Sequence, residues 1–109
     1  MEITVTKSGD INVVCIEGRL DTTNYGELEA QLTGLTDKNE KIILMDLSKM
    51  EYISSSGLRI LLIFLKKLKA VEGRFMLCGM SAEIRDIFEI SGFVNIFEIF
   101  DDKEAALNS

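Results

Sequence analysis

Three consecutive hydroxyls and a glycine, Ser54-Ser55-Ser56-Gly57, are the side chains of this sequence with the clearest capacity for chemistry. Upstream lie Ile42-Ile43-Leu44-Met45, then Asp46-Leu47-Ser48 and a short polar link through Tyr52-Ile53. Downstream runs Leu58-Arg59-Ile60-Leu61-Leu62-Ile63-Phe64-Leu65. The pattern predicts a buried strand, a link, and a long helix that opens at the serines. A hydroxyl at a helix N-terminus is well placed to carry phosphate, because free N–H groups and the helix dipole favour negative charge there. The same hydroxyl is also an ordinary N-cap. Residue types alone leave both roles open.

Other chemistries lack their residues. The chain has no histidine, so neither a Ser-His-Asp nor a Cys-His system can be assembled, and imidazole metal sites are excluded. Ser54-Ser55-Ser56-Gly57 lacks the leading glycine of a nucleophile elbow, and neither GxGxxG nor GxxxxGK[ST] occurs. The pair Asp101-Asp102 precedes a short helical tail and reads as capping charge. The expectation is a protein without enzymatic activity, metal or cofactor.

At 109 residues the chain is expected to form one domain over residues 1–109. Its net charge of −6 argues against nucleic acid and against an anionic membrane surface as partners. Cys15 and Cys78 fall inside strand patterns without CxxC spacing and read as buried, reduced thiols. Met1-Glu2-Ile3-Thr4 opens directly into strand pattern rather than a signal peptide, and Ile60 to Leu65 is too short to cross a bilayer. The expected location is cytoplasmic.

The elements that must position the serines read as an alternating α/β pattern. Ile3 and Val5 alternate with Thr4 and Thr6, Lys7-Ser8-Gly9-Asp10 is a turn, and Ile11 to Glu17 is a second strand, giving an N-terminal hairpin. Thr22 or Thr23 is expected to cap a helix with Tyr25, Leu28, Leu32 and Leu35 on one face. Lys41 to Leu47 is a third, central strand, and the helix after Ser56 stops near Gly73. Phe75 to Cys78 is a fourth strand, and Ser81 caps a helix carrying Ile84, Ile87 and Phe88 that Gly92 ends. Ile96 to Phe100 is a fifth strand, and Asp102 to Leu107 a last helical turn or two. The sum is a mixed, mostly parallel sheet of about five strands with about four helices.

The long helix has two apolar faces. At about 100° per residue, Leu58, Leu61, Leu62 and Leu65 point toward the sheet. Ile60, Ile63 and Phe64 point the other way, among Arg59, Lys66 and Lys67. Either the helix from Ser81 to Ser91 covers that second face, or it is a docking surface continuous with the serines. Both readings stay open.

Taken in order, Gly18-Arg19-Leu20-Asp21, Asp46-Leu47-Ser48, Tyr52-Ile53-Ser54-Ser55-Ser56-Gly57-Leu58, Gly79 and Gly92-Phe93 carry a family resemblance. The chain resembles a single-domain STAS protein of the anti-sigma factor antagonist type along nearly its full length. The resemblance implies that the serine two residues before the glycine, here Ser55, is phosphorylated by a serine kinase that is itself an anti-sigma factor. It also implies that a PP2C-type phosphatase reverses the modification, and that the unphosphorylated form captures the kinase and releases the sigma factor. Members commonly place an aspartate where this chain has Ser54. The partner-binding residues expected from the resemblance and the helix faces together are Asp21, Thr22, Asn24, Ser54, Ser56, Gly57, Arg59, Ile60 and Ile63. The alternative on the same fold is a scaffold or small-ligand sensor, associated with transport, that is never phosphorylated.

Overall fold

The alternation of Ile3 and Val5 with threonines forms β1 (Glu2–Ser8), which pairs antiparallel with β2 (Ile11–Leu20) across the turn at Gly9-Asp10 in this computed structural model of residues 1–109. Ile3 stands opposite Ile16 and Val5 opposite Val14, so one face of the hairpin is apolar until it reaches Lys7 opposite Asn12. Beyond it the chain alternates: α1 (Tyr25–Asp37), β3 (Ile42–Asp46), β4 (Met50–Ile53), α2 (Ser55–Ala70), β5 (Arg74–Cys78) and α3 (Ala82–Ile90). A 3-10 turn at Phe93–Asn95, β6 (Glu98–Phe100) and α4 (Lys103–Leu107) complete it.

The sheet runs β1-β2-β3-β5-β6, parallel except for the β1–β2 edge, and β4 pairs in parallel with the far end of β2. The count is six strands where the sequence suggested about five. The extra strand is the link through Tyr52-Ile53. It is only four residues long and exposes Glu51 and Tyr52, so its own pattern is weak. β2 pairs with β3 only as far as Cys15, and its far end, Gly18 to Leu20, pairs with β4 across a register shift that leaves Glu51 of β4 without a partner.

Ile43, Met45 and Leu47 lie toward α1–α3 in one cluster of 21 buried residues that includes Phe64, Phe88 and Phe97. Each such large apolar side chain contributes about 1.5–3 kcal/mol on leaving water. The alternate residues of the same strands, Val13, Leu44, Met76 and Cys78, face the other way and pack with Ala106 of α4. Phe97 is ringed by Phe75, Phe88 and Phe93, with centroids 5.8–6.3 Å apart and tilted or edge-on geometry. This ring ties α3 and the 3-10 turn to the sheet, and it shortens the last strand to Glu98–Phe100 from the expected Ile96–Phe100.

Helix ends follow local chemistry with two exceptions. Ser81 and Asp102 accept from Ile84 N–H and Asp102's third successor Ala105 N–H, as their positions suggested. At the end of α2, however, Glu72 rather than Gly73 adopts the left-handed conformation, at φ 59°. Gly73 is needed for close approach instead: a Cβ there would lie 2.4 Å from the Lys41 carbonyl. At the start of α1 the cap position belongs to Asn24, not to Thr22 or Thr23, and Tyr25 stays 37% exposed.

The helix faces also differ from expectation. Ile60 and Phe64 are buried, whereas Leu62 is only half-buried. The core stripe of α2 is therefore Leu58, Ile60, Leu61, Phe64, Leu65 and Leu68. The helix packed against α2 is α1, while α3 lies against β4. A helical wheel cannot supply this, because the position of α1 is set by the sheet rather than by α2. Cys15 is half-buried and Cys78 buried, both free. Asp46 stands between them in register, which puts the two thiols two strands apart. Burial and then Asp46 raise both thiol pKa values, that of Cys78 to about 12.

Candidate functional site

Strand β2 ends at Leu20, whose carbonyl accepts from Ser54 N–H at 2.9 Å, so the strand end and the opening of α2 are clamped together. The first turn of α2 then sorts its three hydroxyls. Ser54 is the N-cap, with extended backbone, and its Oγ accepts from Gly57 N–H at 3.2 Å. Ser56 is half-buried and its Oγ shares a 3.2 Å hydrogen bond with Thr22 Oγ1. Ser55 occupies the first helical position, is exposed, and makes no side-chain hydrogen bond. The capping role open to all three in the sequence falls to Ser54.

Gly57 explains why the helix sits so near the strand. It is buried, and a Cβ on it would meet Leu20 Cγ at 2.8 Å and Ile53 Cγ1 at 2.9 Å. Any side chain there would push the helix start away from β2 and β4. Gly57 was expected among the partner-contacting residues; its burial makes it a spacer beneath the serines instead.

The loop beside the serines is held from within. Asp21 Oδ1 accepts from Thr23 N–H at 2.9 Å and from Thr23 Oγ1–H at 2.6 Å. Asn24 Oδ1 accepts from Asp21 N–H at 2.9 Å, and its Nδ2 donates to the Arg19 carbonyl at 2.8 Å. The Thr23 hydroxyl and N–H hold the Asp21 carboxyl below the usual carboxylate range, with Arg19 a lesser contributor at 3.8 Å. Arg19 also lies over the Tyr52 ring, 4.3 Å from its centroid. Asp21 and Asn24 thus shape the loop, and the hydroxyl of Thr22 is what it brings against the serine cluster.

The remaining expected residues divide. Arg59 is exposed, one turn beyond Ser55, and Ile63 is half-buried. Ile60 is 3% exposed and cannot meet a partner. That expectation is corrected by the packing of α1 on α2. The exposed apolar surface lies on the other side of Ser55, where Tyr52, Ile53, Ser55, Leu58, Ile87, Ile90 and Ser91 line an open groove of about 420 Å³. Ile90 is 88% exposed at its lip and Tyr52 37%. Sequence reasoning missed this groove because Leu58 and Ile87 fit a core reading. The signal was Ile90: Ile84 and Phe88 fill the buried stripe of α3, and a further isoleucine falls outside it. No helix of the protein is long and apolar enough to cross a membrane.

Against this geometry the comparisons with known proteins are consistent. The STAS domain profile matches residues 2–106. A Bordetella bronchiseptica protein, BtrV, assigned as an anti-sigma factor antagonist, is 39% identical over 106 residues, covering 97% of this chain and 91% of BtrV. The crystal structure of a Thermotoga maritima protein, likewise assigned as an anti-sigma factor antagonist, superposes with TM-score 0.93 at 19% identity, covering 97% of this chain and 92% of the other. The unphosphorylated form of the antagonist SpoIIAA superposes at 0.77 with 19% identity, covering 97% of this chain and 94% of SpoIIAA. The phosphorylated form of Bacillus SpoIIAA gives 0.76 at 21% identity, over 98% of this chain and 97% of SpoIIAA. The two forms match this fold about equally.

Proposed function

The chain belongs to the STAS-domain family, and from that premise we propose that it is an anti-sigma factor antagonist switched by phosphorylation of Ser55. The unmodified protein binds a serine-kinase anti-sigma factor and releases the sigma factor. Transfer of phosphate from ATP to Ser55 ends that binding, and a PP2C-type phosphatase restores it. The observation that carries this reading is the sorting of the hydroxyls: Ser54 caps, Ser56 bonds to Thr22, and Ser55 alone is exposed without a side-chain partner.

Physical chemistry supports a switch at the interface rather than in the fold. Phosphate adds about −1.5 to −2 charge at the first turn of α2. The helix dipole favours charge there by about 0.3–1 kcal/mol, and the first turn holds no acidic side chain to oppose it. The domain is expected to stay folded while the surface around Ser55 gains negative charge. The groove of Tyr52, Leu58, Ile87 and Ile90 supplies apolar area for the partner next to that charge.

The test is incubation with the cognate kinase and ATP, followed by mass spectrometric mapping. One phosphate on Ser55, abolished in Ser55→Ala and retained in Ser54→Ala and Ser56→Ala, is the expected result. A phosphate on Ser54, or none at all, would sink the assignment, the latter in favour of an unphosphorylated scaffold.

A further inference from the structure

Arg59 stands out among the cations of this protein by what surrounds it. Helix α2 carries Arg59, Lys66, Lys67 and Lys69 and no carboxylate from Ser55 to Ala70, within a chain of net charge −6. At about 100° per residue, Ser55 and Arg59 lie only about 40° apart around the helix, one turn from each other on its solvent side. Both are exposed, and Arg59 forms no ion pair. Three carboxylates near this end of the sheet already have other neighbours. Asp21 is held by Thr23 and Arg19, Glu89 of α3 pairs with Arg85 at 3.4 Å, and Glu51 of β4 lies over Gly18.

We propose that Arg59 is the internal counter-ion of phosphorylated Ser55: free on the partner-facing surface before modification, and drawn onto the phosphate after it. The inference rests on the reading of Ser55 as the modified residue and adds how the modification is registered. A guanidinium matches phosphate oxygens with two parallel N–H donors, which a lysine ammonium cannot do. Residues four apart on a helix reach each other without backbone movement. The modification then changes the surface twice, by adding an anion and by withdrawing a cation that would otherwise attract partner carboxylates.

The experiment uses full-length protein carrying phosphoserine installed at position 55 during translation, so that no kinase is needed. The phosphate is titrated by ³¹P NMR at low salt in otherwise unchanged protein and in Arg59→Gln, Arg59→Lys and Lys103→Gln. A nearby guanidinium favours the dianion, so Arg59→Gln is expected to raise the phosphate's second pKa by about 0.3 units or more. Arg59→Lys should fall between, Lys103→Gln should leave the value unchanged, and the Arg59 effect should shrink in high salt. Identical titrations with and without Arg59 overturn the proposal. Failure of any kinase to label Ser55 would count against the function proposed above but would leave this titration readable.

Discussion

At the amino ends of the parallel strands, polar groups are paired; at the carboxyl ends, around the start of α2, several are left free. Lys7 bonds Glu40 at 3.0 Å, and buried Asn12 donates to Glu40 and to the Ile42 carbonyl at 2.9 and 3.2 Å. Arg74 forms a two-pronged pair with Glu98 and also donates to Ser109 Oγ at 2.8 Å. At the other end Ser55 and Arg59 meet solvent without side-chain partners and Ile90 is bare. The difference teaches where each end's sequence is directed: one end closes the sheet, the other presents a surface. The strand ends behind the serines are nonetheless well tied, by close packing at Gly57 and by hydrogen bonds within the Asp21 loop.

If the contrast is right, damage beneath the serine end should cost far more stability than changes on its surface. Phe64→Ala should cost about 3–5 kcal/mol in urea denaturation, since the ring is fully buried. Ile60→Ala should cost about 2–5 kcal/mol, and Ile63→Ala, half-buried on the same helix, less than half as much. Equal losses at the two isoleucines would mean that α1 does not cover α2 as described. Ile90→Ser should move stability by no more than about 0.5 kcal/mol, yet weaken binding of the kinase in calorimetric titration; unchanged affinity would remove the groove from the interface.

The paired end gives a small effect that depends on pH. Arg74 holds the Glu98 carboxyl below its ordinary pKa, so the pair stabilises the fold above that ordinary value. The contribution is lost as pH falls through the lower, folded-state value. Because the pair is substantially exposed, Glu98→Gln should cost under about 1 kcal/mol at pH 7, and that difference should vanish at low pH. A difference that persists after the carboxyl is protonated would assign the loss to packing instead.

What the sequence made legible was local. Ser81 and Asp102 cap helices because a side chain and an N–H three residues on decide the matter between them. The hairpin followed from alternation across a short turn. Ser55 was singled out only by the family resemblance, through its place before Gly57, and its exposure could not be read at all, since Ser54, Ser55 and Ser56 have equivalent side chains until the backbone assigns the cap. Ile60 was misread because its cover comes from α1, a distant segment whose position only the sheet decides. β4 was missed because four residues cannot establish a period, and its partner is the far end of β2, which runs on past its pairing with β3. The groove was missed for a related reason: Tyr52, Leu58 and Ile90 sit on three elements, and only their assembly leaves an apolar surface open.

The central claim is that phosphate on Ser55 changes what the surface binds while leaving the fold in place. It is tested most directly by calorimetric titration of the cognate serine-kinase anti-sigma factor into the unmodified and Ser55-phosphorylated proteins, each first checked for the same melting transition. The account predicts that phosphorylation weakens binding by tenfold or more, about 1.4 kcal/mol, in a protein that melts within about 1 kcal/mol of the unmodified form. Equal affinities, or a loss of affinity that appears only with a collapse in melting temperature, would contradict it.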